Sequence, residues 1–148
     1  MNPFGSRSAS LALGSFLGVM LAVCVACAAT PEDSLAGEEW LLVEISGEPV
    51  PGGEIVATLR YAAAEKRVSG SAGCNRYFGT VLEGPAGGDL QLGPIGATRK
   101  LCASPAMELE SRFLGVLRSV TRWEPLGAEL LLSGPDGTLR FAVRAEPR

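Results

Sequence analysis

The chain has 148 residues, with 13 Lys and Arg against 16 Asp and Glu, a formal net charge of −3 at pH 7. That balance gives no electrostatic reason to bind nucleic acid. Histidine is absent, which excludes imidazole bases and His-ligated metals on this chain, and the length suits one domain with a modest core.

Residues 1–26 read as an export signal. Arg7 is the single charge in the first 31 residues, and the apolar heart runs from Leu11 to Ala26. The run is short for a membrane span of about 20 residues, so a retained anchor helix is the lesser reading. The segment Leu21-Ala22-Val23-Cys24-Val25-Ala26-Cys27 resembles a bacterial lipobox, in which the chain is cut before a Cys that takes diacylglycerol. Cys27 is favoured for lipidation because small Ala26 precedes it. Cys24, with Leu21 and Ala22 upstream but bulky Val23 at the cut, is the alternative. Cleavage after Ala26, Ala28 or Ala29 would instead release a soluble form. Cys24 and Cys27 also spell C-x-x-C, but inside an apolar signal and without a second pair this is no metal or redox signature. The expected location is the cell envelope, lipid-anchored on the periplasmic side of a membrane, or outside the cell.

Residues 27–38 read as a polar tether. Trp40 to Ile45 is the first strand, with Leu41, Val43 and Ile45 on a wholly apolar face. Ser46 to Gly53 is a loop. Glu54 to Tyr61 is a second strand, with Ile55, Ala57, Leu59 and Tyr61 facing away from Thr58 and Arg60. Arg67 to Ala72 and Arg76 to Leu82 follow, then a wide Gly84–Gly88 turn and a short strand at Asp89 to Leu92. Gly93 to Cys102 reads as irregular. The helix comes next, with Ser104 as its cap and Pro105 at its first position. Ala106, Leu109, Phe113, Val116, Leu117 and Val120 form an apolar stripe, while Glu108 and Arg112 are spaced for an ion pair on the opposite face. Strands at Thr121–Pro125, Glu129–Ser133 and Thr138–Arg144 complete the chain, the last two joined by the turn Gly134-Pro135-Asp136-Gly137. Residues 145–148 are a tail. About eight short strands with short connections and one amphipathic helix make an α+β domain over 39–144, built on an antiparallel sheet.

The stretch Gly70–Cys102 organises this domain. Gly70, Gly73 and Gly79 mark a bent or closely packed strand pair. Cys74 and Cys102 lie 28 positions apart. They either pair, which an exported location favours, or sit as two buried thiols. Asn75 either bonds its own turn or presents a polar group to a ligand. Thr98 is expected to bond backbone. Arg76, Arg99 and Lys100 are candidates for a basic patch that meets lipid headgroups or an acidic partner, against the plainer reading of a solvated face. No carboxylate pair has the placement of an acid–base couple, and no cofactor or metal site is expected.

These residues resemble the META domain (HslJ-like) family. The shared marks are Trp40 opening the first strand, Gly73-Cys74-Asn75 followed by an aromatic residue and Gly79, and Thr98 four positions before Cys102. The family often carries Met where Lys100 stands. The resemblance implies a strongly curved sheet or open barrel cradling the helix, like that of a lipid-anchored secretion pilot protein that holds acyl chains in its cavity. It also implies an envelope location and links to heat shock, antibiotic tolerance or motility, with no common enzymatic activity. Three functions stay open. One is a non-enzymatic, lipid-anchored protein, stress-related, binding a small hydrophobic molecule or an envelope protein. The second is a chaperone-like or secretion-accessory protein pairing through a sheet edge. The third is a thiol redox protein using Cys74 and Cys102, whose pKa would have to be lowered by Arg76, Arg99 or Lys100.

Overall fold

The structure, a computed structural model, describes residues 35–84 and 86–144. The expected signal with Cys24 and Cys27, the first part of the tether and the tail at 145–148 lie outside those residues. Ten strands are present among the described residues: β1 (Glu39–Ile45), β2 (Glu48–Pro49), β3 (Thr58–Ala62), β4 (Arg67–Ser71), β5 (Arg76–Glu83), β6 (Gln91–Leu92), β7 (Gly96–Ala97), β8 (Arg122–Leu126), β9 (Glu129–Gly134) and β10 (Gly137–Val143). Helix α1 (Ser104–Leu117) lies between β7 and β8. No helix among them is long and apolar enough to cross a membrane.

Eight strands form one path, β6-β5-β4-β3-β1-β10-β9-β8, with β2 paired to β1 and β7 to β5. Every pairing of these strands is antiparallel, as short connections require. The two ends of the path meet: Asp89 and Arg122 form an isolated antiparallel bridge, and Leu90 N–H donates to the Thr121 carbonyl at 2.9 Å. The α+β sheet is therefore a nearly closed barrel, which limits its free edges.

Its concave side is filled by α1. Phe113 is fully buried and meets Tyr77 edge-on at 5.3 Å and Phe141 at 6.3 Å. Leu117, Leu130, Leu132 and Leu139 surround them. Ala106, Phe113, Val116 and Leu117 are buried as the helical period requires and Leu109 is half-buried, while Val120, also buried, lies past the end of the helix. Leu35, within the expected tether, is also buried, and its carbonyl accepts from the Trp40 indole at 3.4 Å.

Several local expectations are corrected. In β1 the buried residues are Trp40, Leu42 and Ile45, not Leu41, Val43 and Ile45. A bulge between Leu42 and Glu44 shifts the pairing with β10 by one residue, and this moves Ile45 to the inner face. The second strand starts at Thr58, so Ile55 sits exposed on a loop. Thr58 is buried because its Oγ1 takes the Ser71 N–H where the β3–β4 ladder is interrupted. The helix cap is Ala103, without a side-chain bond; Ser104 is already helical and bonds Glu108 instead. Arg112 pairs with Glu48 across the structure rather than with Glu108. The segment expected to be irregular contains β7, which pairs with β5 through Tyr77–Ala97 and Phe78–Gly96.

Candidate functional site

The bend between β4 and β5 carries the motif residues. Gly73 has φ +109, which side chains rarely adopt, and its Cα lies against the helix: an added Cβ would meet the Ala106 carbonyl at 3.1 Å. Cys74 and Cys102 form a disulfide with their Cα atoms 5.9 Å apart. Asn75, 2% exposed, sits between the three pieces that meet here. Its Oδ1 accepts from Thr98 Oγ1 at 2.8 Å and from Lys100 N–H at 2.7 Å. Its Nδ2 donates to the Lys100 carbonyl at 3.2 Å and to Glu110 Oε1 at 3.1 Å. Its backbone N–H donates to Glu110 Oε2 at 2.7 Å. The Asn75 carbonyl closes its own turn by accepting from Ala72 N–H at 2.7 Å, but its buried side chain is spent on the neighbouring pieces rather than on that turn. It ties the bend to the 98–102 segment and to α1, and the disulfide covers the same junction.

Thr98 bonds backbone as expected, exchanging bonds with Arg76 through its N–H and its Oγ1, and it also holds Asn75. Gly79 is buried in β5 with Ile95 packed over it. Trp40 is buried in β1. The sequence reading missed Glu110. Its signal was a carboxylate four residues after Ala106 and three before Phe113, inside the apolar stripe rather than opposite it.

Arg76, Arg99 and Lys100 are all exposed on adjoining backbone at the outer rim of this junction, and Leu101 beside them is 95% exposed. None of the three makes an ion pair among the described residues. Below the junction, burial pushes the Tyr77 phenol well above its usual pKa, and its hydroxyl donates to the Thr58 carbonyl at 2.9 Å.

A groove of about 500 Å³ runs between the start of α1 and the loop before β3. Val50, Pro51, Ile55, Pro105 and Leu109 give it an apolar wall, and Glu54, Glu108 and Arg112 line its polar side. No grouping of metal-ligating side chains is found among the described residues. The chemistry on offer is apolar shelter beside one cation and two carboxylates. Pro51, Gly52 and Gly53 marked a loop in the sequence, but nothing there said that it would face the helix.

The META domain family model matches residues 33–146. No curated protein matches the sequence. Three solved structures are similar in fold. An NMR structure of a protein from Burkholderia xenovorans is 23% identical, covers 97% of this chain and 99% of its own, and has a TM-score of 0.62. A second NMR structure is 21% identical over 78% of this chain and 96% of its own, with a TM-score of 0.62. The crystal structure of a DUF4847 family protein from Bacteroides vulgatus ATCC 8482 is 15% identical over 78% of this chain and 99% of its own, with a TM-score of 0.57.

Proposed function

The chain belongs to the META domain family, and from that premise we propose a non-enzymatic envelope protein, exported and lipid-anchored at Cys27, that holds an acyl chain in the groove beside α1. The groove carries the ligand reading. Its volume of about 500 Å³ falls within the roughly 300–1,000 Å³ usual for small-molecule sites, which are mostly apolar with a few polar groups. Arg112 stands at its rim in an ion pair with Glu48, and both side chains are more than half exposed. Such a pair is weak in water, so a fatty acid carboxylate can take Glu48's place at little cost. The signal and the residues before Cys27 support the anchor. The lack of histidine and the use of Cys74 and Cys102 in a disulfide support a binding role over thiol chemistry. The meeting of the sheet margins at Asp89 and Arg122 leaves little edge for a chaperone-like partner.

Intact mass of the membrane-extracted protein, before and after reduction, tests the anchor. The expected species starts at Cys27, carries diacylglycerol and gains two hydrogens on reduction. Native mass spectrometry tests the ligand. Wild type should retain a non-covalent fatty acid that Leu109→Glu loses. A wild-type chain without retained or rebindable fatty acid refutes the ligand, and an unmodified N-terminus refutes the anchor.

A further inference from the structure

We propose that the outward face of β3, β4 and β5 is a second surface, one that lies on an anionic lipid headgroup layer. The strand register places its residues together. Arg60 pairs with Ser69, Ser69 with Phe78 and Phe78 with Gly96, so one row crosses four strands on one face. The neighbouring rows hold Arg67 opposite Thr80 and Arg76 opposite Ser71. Phe78 is 49% exposed and Leu82 on the same strand 55%. The Phe78 ring rests on Gly96, with the Arg67 guanidinium 5.7 Å from its centre. Arg99, Lys100 and Leu101 extend the face from the segment bonded to Arg76.

Most cations off this face are paired, Arg118 just past the end of α1 being an exposed exception without an ion pair among the described residues. Arg112, Arg122, Arg140 and Arg144 are each held by a carboxylate. Arg60, Arg67, Arg76, Arg99 and Lys100 have no such partner among the described residues. The acidic residue at the end of the Arg60 row, Glu39, is engaged by Arg144, and Glu65 lies in the turn between β3 and β4. An overall acidic protein thus presents one face of unpaired cations set around exposed apolar side chains. Basic residues that meet headgroup phosphates, with apolar tips entering the interface, are how peripheral surfaces hold anionic membranes.

The chain's exit points the same way. Ala36 bridges to Tyr61, and Gly37 N–H donates to the Tyr61 carbonyl at 3.4 Å, so the chain enters β1 beside β3, the first strand of this face. The eight residues from Cys27 to Ser34 span at most about 29 Å when extended. This orientation argument rests on the proposed anchor; the cationic face does not.

The test uses the full chain carrying Phe78→Trp, reconstituted with vesicles of phosphatidylcholine or of phosphatidylcholine with one-third brominated phosphatidylglycerol, and with brominated phosphatidylcholine as the neutral quencher. Trp40 and Trp123 are buried, so lipid quenching reports position 78. Quenching is expected on the anionic vesicles, weak on the neutral brominated ones, and lost in 0.5 M salt. Arg60→Gln, Arg67→Gln and Arg76→Gln should each weaken the contact about five-fold, with an unchanged melting temperature. A chain that floats with both kinds of vesicle yet is equally quenched or unquenched on them keeps its anchor and overturns the surface. One that floats with anionic vesicles alone keeps the surface and overturns the anchor. Salt-sensitive binding of polyglutamate without lipid quenching assigns the face to a protein and overturns the proposal.

Discussion

Replacing Asn75 by Ala isolates the junction that the motif residues build. The change removes four side-chain hydrogen bonds, two to Oδ1 and two from Nδ2. At about 1 kcal/mol each their loss would cost about 4 kcal/mol. Thr98 and Lys100 are exposed, so water recovers part of their bonding, whereas the Glu110 side has less access to solvent. The net expectation is a loss of about 2–3 kcal/mol. Urea unfolding of the oxidised protein, followed by the fluorescence of buried Trp40 and Trp123, should show a lower midpoint with an unchanged slope. Asn75→Asp should lose at least as much, because it removes both amide donors and sets a second carboxylate against Glu110. A loss below about 1 kcal/mol for Asn75→Ala, or a stabilised Asp variant, would refute the view of Asn75 as the tie between bend, loop and helix.

Cys74→Ala and Cys102→Ala should each destabilise by about 3–4 kcal/mol in the chain-entropy model, and the double variant should lose no more than either, since one bond is at stake. Additive losses in a double-mutant cycle would contradict this. Gly70→Ala puts a Cβ 2.1 Å from the Thr58 carbonyl and should cost about 3 kcal/mol, while Gly52→Ala, which meets nothing within 4 Å, should be near neutral; thermal melts distinguish the two. Tyr77→Phe leaves the buried Thr58 carbonyl without its donor and should cost about 1–3 kcal/mol at pH 7. Because the folded state raises the Tyr77 pKa, its stabilisation is complete below the unfolded value near 10 and is lost as pH rises above it, so Tyr77→Phe should flatten the alkaline fall in stability.

The sequence by itself determined the elements whose cause is local. The 3.6-residue stripe from Ala106 to Leu117 fixed the helix and its buried side, because apolar periodicity and burial are the same fact seen twice. The turn Gly134–Gly137 fixed the last hairpin, and Gly73-Cys74-Asn75 with Thr98 and Cys102 marked the junction before any contact was visible. Tertiary structure decided what depends on partners distant in the chain. The bulge in β1 put Ile45 on the same inner face as Trp40 and Leu42, because pairing with β10 overrides strict alternation within β1. Glu110 became a ligand of Asn75, and Arg112 a partner of Glu48, only when the helix was laid into the barrel. The groove and the row of cations on β3, β4 and β5 arise from surfaces that no contiguous stretch of sequence contains.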